Sequence, residues 1–288
     1  MLSATSTRAF HGSTLHSTVF LERQLRVHLV RRDRLLFASK FAPPARKPGP
    51  WVHIFASIRG TFAVDHGATH GEPVAYALAE SEFDAIQPDA ITFRSFGDPC
   101  TIVEVRLLAK DLRVPLGLRH GPLALPPVAW DAYRALEATP GEPQMRAVID
   151  QLGRAKIVAS DLADTIVAEE PERFSRLWTV LRPLYEELST SASLKQIAGL
   201  AQLSLRQLGR DLGDVTRTFG LYGGGFRDAM RTLRLRAAVL LLSAPSGTPS
   251  DVARAVGYGS LDAMGRAFRD AGLPAPSAVQ DSVRFPSI

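Results

Sequence analysis

The chain has 288 residues, 45% of them apolar and 22% charged, which is enough for two domains of ordinary size. Its net charge is +5, a mild basic excess that suits a polyanionic partner. The single cysteine, Cys100, excludes a disulfide framework and points to a reducing, cytoplasmic setting, and the apolar run Ala237–Leu242 is far too short to span a bilayer, so no membrane partner is expected.

In chain order, residues 1–21 hold no acidic side chain, several Ser and Thr and the basic Arg8, a composition shared by transit peptides but without a clear amphipathic repeat. They read as a flexible arm, bounded here at 1–22. From about Leu25 to Leu108 the segments "LRVHLV", "RLLFASKF", "WVHIFASIRGTFAV", "AYALA", "AITFRSF" and "TIVEVRLL" are rich in β-branched and aromatic residues. Turns are expected at "IRGT" (58–61) and "QPDA" (87–90). Such spacing predicts a small antiparallel barrel or sandwich within a β-rich domain over 23–143, closed by a Pro- and Gly-rich connector at 113–127. After "TPGEP" (139–143) the period becomes helical, as in Leu177, Val180, Leu181, Leu184 and Leu188, and 144–190 reads as a helical coupling or dimerisation region.

The last third contains an internal repeat. In "SLKQIAGLAQLSLRQLGRDL" (193–212), Ile197, Ala198, Ala201 and Leu203 match Val252, Ala253, Val256 and Tyr258 at an offset of 55. Past the turn the offset is 56, pairing Leu208 with Met264, Arg210 with Arg266 and Leu212 with Phe268, so the second turn has one extra residue. The unit is helix–tight turn–helix, with a small residue, Ala198 or Ala253, where the helices cross. Gly257 falls where the first helix must end with φ > 0. Ser193 and Ser250 are the expected caps. Between the copies, Phe226–Ser243 reads as one long helix. A second helix held at a fixed angle with its outer face exposed is what major-groove reading requires.

Residues from about 178 to 280 resemble the DNA-binding domain of the AraC/XylS family of bacterial transcription regulators. The resemblance is carried by the two repeat copies, by Arg234-Leu235-Arg236 and Ala238 in the helix between them, and by Phe268 and Pro276-Ser277 after them. The chain departs from the family at Leu273, which stands where a late Gly is usual, at Gly209 and Gly265 in the two second helices, and at Gly223-Gly224-Gly225 in the connection. The resemblance implies a double helix-turn-helix domain over 191–288, preceded by a cupin-like barrel that senses a small molecule or mediates dimerisation. The fold class expected is therefore α+β, with an antiparallel barrel, a helical connector and an all-α C-terminal domain.

The residues expected at DNA are Ser204, Arg206, Gln207 and Arg210 in the first unit, and Ser260, Asp262, Ala263, Arg266 and Arg269 in the second. Arginine grips guanine in two bonds, glutamine suits adenine, and alanine meets a thymine methyl. Leu208, Leu212, Met264 and Phe268 read as core. Trp51, Phe55, Phe62, Tyr76 and Phe93 are the candidates for lining an effector cavity, against the plainer reading of packed aromatic core. His66, His70 and Glu72 in "HGATHGE" lack the spacing of a cupin metal motif and read as a solvated loop. Neither a metal nor a cofactor is expected, and Cys100 reads as a small buried residue.

These readings converge on a one-component transcription regulator, expected to be an activator, that is not an enzyme. Its expected partners are double-stranded promoter DNA, a small-molecule effector, RNA polymerase and a second copy of itself. The same regulator controlled by a protein partner is an alternative, and a cupin-type enzyme with a DNA-binding tail is a weaker one.

Overall fold

The architecture is that of a computed structural model, described over residues 1–288 except 24, 44–48, 65–67, 71–73, 81–91, 115–119, 167–169, 189–191, 222–224 and 285–288. The N-terminal part is one antiparallel sheet. Its strands are β1 (Leu2–Phe10), β2 (Ser13–Glu22), β3 (Leu25–Asp33), β4 (Phe37–Ala38), β5 (Trp51–Val64), β6 (Ala68–His70), β7 (Val74–Ala79), β8 (Phe93–Leu108) and β9 (His120–Leu123). The order is β1-β2-β3-β8-β5-β7-β9, with β4 beside β8 and β6 beside β5. Helices follow: α1 (Pro127–Ala138), α2 (Glu142–Arg154), α3 (Glu172–Glu186), α4 (Leu194–Leu200), α5 (Leu205–Thr218), α6 (Phe226–Leu242), α7 (Pro249–Ala255), α8 (Leu261–Asp270) and α9 (Pro276–Arg284). The α+β class expected from the sequence is observed.

Residues 1–22 are not a flexible arm. They form the β1–β2 hairpin, paired from Leu2↔Leu21 to Phe10↔Ser13. His11 and Gly12, with φ of 47° and 76°, make the two-residue turn whose twist matches that of the strands. Alternate residues Leu2, Ala4, Phe10 and Leu15 are buried, and they join the core of the C-terminal helices rather than that of the sheet. The Trp178 indole N–H donates to the Ser3 carbonyl at 2.9 Å, and Arg8 donates to the Glu186 carbonyl at 2.9 Å, which ties the hairpin to α3.

Two other boundaries move. The turn expected at 58–61 is a register irregularity inside β5, which runs on to Val64. Residues 93–96 of "AITFRSF" and all of "TIVEVRLL" belong to one strand, β8, while 87–90 and most of 83–93 lie outside the described residues. The connector at 113–127 contains β9, which pairs with β7. Helix starts at Pro127, ahead of the expected 144.

The 144–190 region does not act as one unit. Met145, Val148, Ile149 and Leu152 of α2 pack with α1 on one sheet face, against Ile54, Ala56, Val103 and Val105. Phe174, Leu177, Trp178, Leu181 and Leu184 of α3 belong to the C-terminal core instead. One face of β5 packs on α1 and α2, and on the other Phe55 joins Phe62, Tyr76, Leu78, Phe93 and Ile102, which explains why Val52–Ile58 is buried without alternation.

Candidate nucleic-acid interface

The two repeat copies fold as predicted, down to the backbone. In the first unit, the Leu203 N–H donates to the Ala198 carbonyl at 2.9 Å and the Gln202 N–H to Gly199 at 3.1 Å. In the second, Tyr258 donates to Ala253 at 2.8 Å and Gly257 to Arg254 at 3.1 Å, the same pairs at an offset of 55. Gly257 has φ +80°, as its position required. Ala198 and Ala253 are buried, as are Leu208, Leu212, Met264 and Phe268.

One cap is corrected. Ser193 caps α4 with a capping box to Gln196, but α7 is capped by Thr248, with Asp251 completing the box and Pro249 in the first turn. Thr248 lies 55 residues after Ser193, so the repeat itself marks the cap. Ser250 is inside the helix.

The second helix of each unit exposes one face. On α5, Arg206, Gln207 and Arg210 are exposed, with Ser204 at the N-cap. Ser204 Oγ accepts from the Gln207 N–H at 3.2 Å, and Gln207 Oε1 accepts from the Ser204 N–H at 3.0 Å. The Gln207 carboxamide oxygen therefore closes the helix end. Arg210 is 68% exposed, with its Nε 3.7 Å from the buried Asp211 carboxylate, which steadies the base of the side chain and leaves the tip outside.

On α8, Asp262, Arg266 and Arg269 are exposed, Ala263 is half-buried, and Ser260 Oγ caps the helix by accepting from the Ala263 N–H at 3.1 Å. Among the described residues Asp262 and Arg266 form no ion pair, so Asp262 does not brace that arginine. Gly209 and Gly265 face open space: a Cβ there would meet nothing within 4 Å.

The sequence reading missed Leu205 and Leu261. Each is the first residue of its second helix, they are 56 apart, and they are 58% and 39% exposed. Their equivalence across the repeat was the available signal. Both are exposed at the start of the helices that carry the arginines.

The joining helix α6 has 17 residues, about 25 Å at 1.5 Å per residue, while successive major-groove faces lie about 34 Å apart. The second helices of the two units, α5 and α8, lie beyond its two ends in the chain.

The aromatic candidates of the N-terminal part mostly pack on one another. Phe55, Phe62, Tyr76 and Phe93 form a buried cluster, with Phe55–Phe93 ring centroids 4.9 Å apart and Phe62–Phe93 5.1 Å apart. Cys100 is buried in the same cluster. Trp51 stands apart, under the Arg106 guanidinium at 4.1 Å. His66 and Glu72, and the side chain of His70, lie outside the described residues. Elsewhere among those described, no group of three His, Cys, Asp or Glu is placed to hold a metal ion.

A cavity of about 160 Å³ lies instead between the sheet and α6. Alternate residues of β1, β2 and β3 line one wall, and Ala229, Leu233, Arg236 and Leu240 of α6 the other. No helix among the described residues is long and apolar enough to cross a membrane.

No protein-family model matches the sequence, and no curated protein matches it. Solved structures do. A DNA-binding transcriptional dual regulator from Escherichia coli K-12 aligns at 20% identity and TM-score 0.29, over 39% of this chain and 98% of that one. ToxT from Vibrio cholerae aligns at 9% identity and TM-score 0.39, over 89% of this chain and 98% of its own. The AraC-like transcriptional activator CuxR aligns at 11% identity and TM-score 0.32, over 80% of this chain and 84% of its own. At these values the functional reading stands on the residues of this chain.

Proposed function

We propose that the protein is a one-component transcription regulator that grips double-stranded promoter DNA with α5 and α8. The observation that carries the reading is the repeat: two units with the same hydrogen-bonded turn, each exposing arginines on its second helix. Arg206 and Arg210 on α5, with Arg266 and Arg269 on α8, would supply base and phosphate contacts. The rest of the expectation belongs to the same proposal: action as an activator in the cytoplasm, contact with RNA polymerase, a homodimer, and no enzymatic role.

The cavity between sheet and α6 supports a further element, control by a small molecule. It touches the helix that joins the two DNA-facing units, so a ligand there would act on their relative placement. It is favoured over the aromatic cluster of the sheet, whose rings fill their own space.

The test is selection of duplexes from a random pool by the full chain, followed by titration at two salt concentrations. The reading predicts a recovered site with two contact blocks about one helical turn apart, bound more tightly than random DNA. Binding equal for all duplexes, or none at low salt, would contradict it.

A further inference from the structure

Five large apolar side chains are exposed among the described residues: Phe96, Val128, Leu200, Leu205 and Leu261. A single exposed leucine is ordinary on a protein surface and by itself carries no meaning. The repeat separates two of these five from the rest. Phe96 and Val128 lie outside it, and Leu200 answers to Ala255 at the offset of 55, so its exposure is confined to one unit. Leu205 answers to Leu261 at the offset of 56, and both units hold a leucine in solvent at the same place.

That place is the first turn of the second helix. Leu205 follows its cap Ser204, and Leu261 follows its cap Ser260. Helix chemistry does not ask for leucine there, since the first turn favours proline and acidic side chains. Packing does not ask for it either. The buried positions come later in each helix, at Leu208 and Leu212 in α5 and at Met264 and Phe268 in α8. In a helix-turn-helix unit, the N-terminal residues of the second helix are the ones that reach base edges.

One turn further along, the same face of each helix carries glycine: Gly209 four residues after Leu205, and Gly265 four after Leu261. Neither glycine has a positive φ, and a Cβ at either would meet nothing within 4 Å. The fold therefore does not require glycine at these positions, although glycine weakens a helix interior. Its effect is to leave bare backbone beside each leucine, which permits close approach of the helix to a ligand surface.

The chemistry of the major groove then selects what a leucine would meet. Leucine neither donates nor accepts a hydrogen bond. Against guanine, adenine or cytosine it would take water from polar edges and return no partner. Thymine alone presents an apolar group in the groove, its C5 methyl. Resting on the proposed DNA-binding role of α5 and α8, we propose that Leu205 and Leu261 are specificity-determining residues, each seated on the C5 methyl of one thymine in its own contact block. The arginines supply polar contacts, while the leucines supply a methyl readout that distinguishes thymine from uracil and 5-methylcytosine from cytosine.

The experiment uses the full chain and the duplex it selects from a random pool. Each thymine is replaced in turn by deoxyuridine, which deletes the methyl and keeps every polar edge. One position in each block should weaken binding about fourfold, the factor that corresponds to burying one methyl-sized group. Leu205→Ala should abolish the uracil effect in one block and Leu261→Ala in the other. Melting temperature and salt slope should stay at the parent values, because both side chains are exposed and uncharged. At the same two positions the parent should bind 5-methylcytosine more tightly than cytosine by a similar factor, and the corresponding leucine variant should bind the two alike. A selected duplex with no methyl-sensitive position, or uracil effects in both blocks of either leucine variant, would overturn the proposal while the DNA reading stands. Failure to select any duplex would overturn both.

Discussion

Gln202 and Gly257 hold the same left-handed backbone position in the two helix-turn-helix units, with φ of +54° and +80°. In each case the residue follows a seven-residue helix and precedes the amide that closes the turn. Only one of the two is glycine. A side chain in this region costs about 1–2 kcal/mol, so Gly257→Ala should destabilise the protein by about that amount. Gln202→Gly should be neutral or stabilising by up to about 1 kcal/mol, since relief of strain is partly offset by the freer unfolded chain. Denaturant unfolding of both variants checks the pair, and parent stability for Gly257→Ala would mean that the turns are not equivalent.

The crossing of α7 and α8 gives a sharper test. Ala253 is fully buried there. Ala253→Glu places an unpaired charge where no partner waits, and a loss of about 3 kcal/mol or more is expected. Thermal unfolding together with DNA titration measures it. An Ala253→Glu variant as stable and as tight on DNA as the parent would rule out this packing.

Much of this was legible because a repeat doubles every signal. The positions of Ala198, Ala253, Leu208 and Met264 follow from an offset in the sequence, and so does the Thr248 cap, 55 residues after Ser193. The hairpin at 1–22 was hidden for a physical reason. Its buried face is made of Leu2, Ala4 and Phe10 between Ser and Thr, a weak alternation, and its partner is a helical core nearly 170 residues away. The cavity at α6 was equally invisible, since its walls come from strands and a helix that no local pattern connects.

The hairpin yields its own prediction. Phe10 is buried in the core it shares with the helices, and Gly247 at the start of the second unit lies against it and His11. Phe10→Ala should cost about 3–5 kcal/mol. A flexible arm would predict no change, and calorimetry separates the two outcomes.

The buried charges around Glu104, which accepts from Arg26 at 3.0 Å through both oxygens, predict an acid sensitivity. Burial alone would raise the pKa of Glu104, but Arg26 above all, together with His28 and His53, outweighs it and holds the carboxyl well below its usual range. Its folded pKa is therefore depressed. The stability it contributes is present above the unfolded value of about 4.3 and is lost as pH falls through the folded pKa. For His28, burial is the largest influence and lowers the pKa despite Glu104, so the folded state disfavours its protonation. Stability should decline as pH falls below about 6.5, and again in the acid range where Glu104 titrates. Stability measured from pH 7 to pH 2 should show both declines, and Glu104→Gln should shrink the lower one, leaving the part due to Glu80, whose carboxyl burial alone would raise but His53 and Arg106 hold low. A flat profile would contradict the buried network.

The central claim is that α5 and α8 face DNA. Arg210 and Arg266 are equivalent in the repeat and exposed on those helices, away from the cores formed by Leu208 and Met264. The direct measurement is titration of Arg210→Ala and Arg266→Ala against the selected duplex and its single-base variants at two salt concentrations. Each variant should keep parent stability. Removing an arginine that pairs with a base should cost about 1–3 kcal/mol and relax preference at one base pair. Removing one that touches only phosphate should weaken all duplexes alike and lower the salt slope by about one unit. Affinity and salt slope unchanged in both variants would contradict the account.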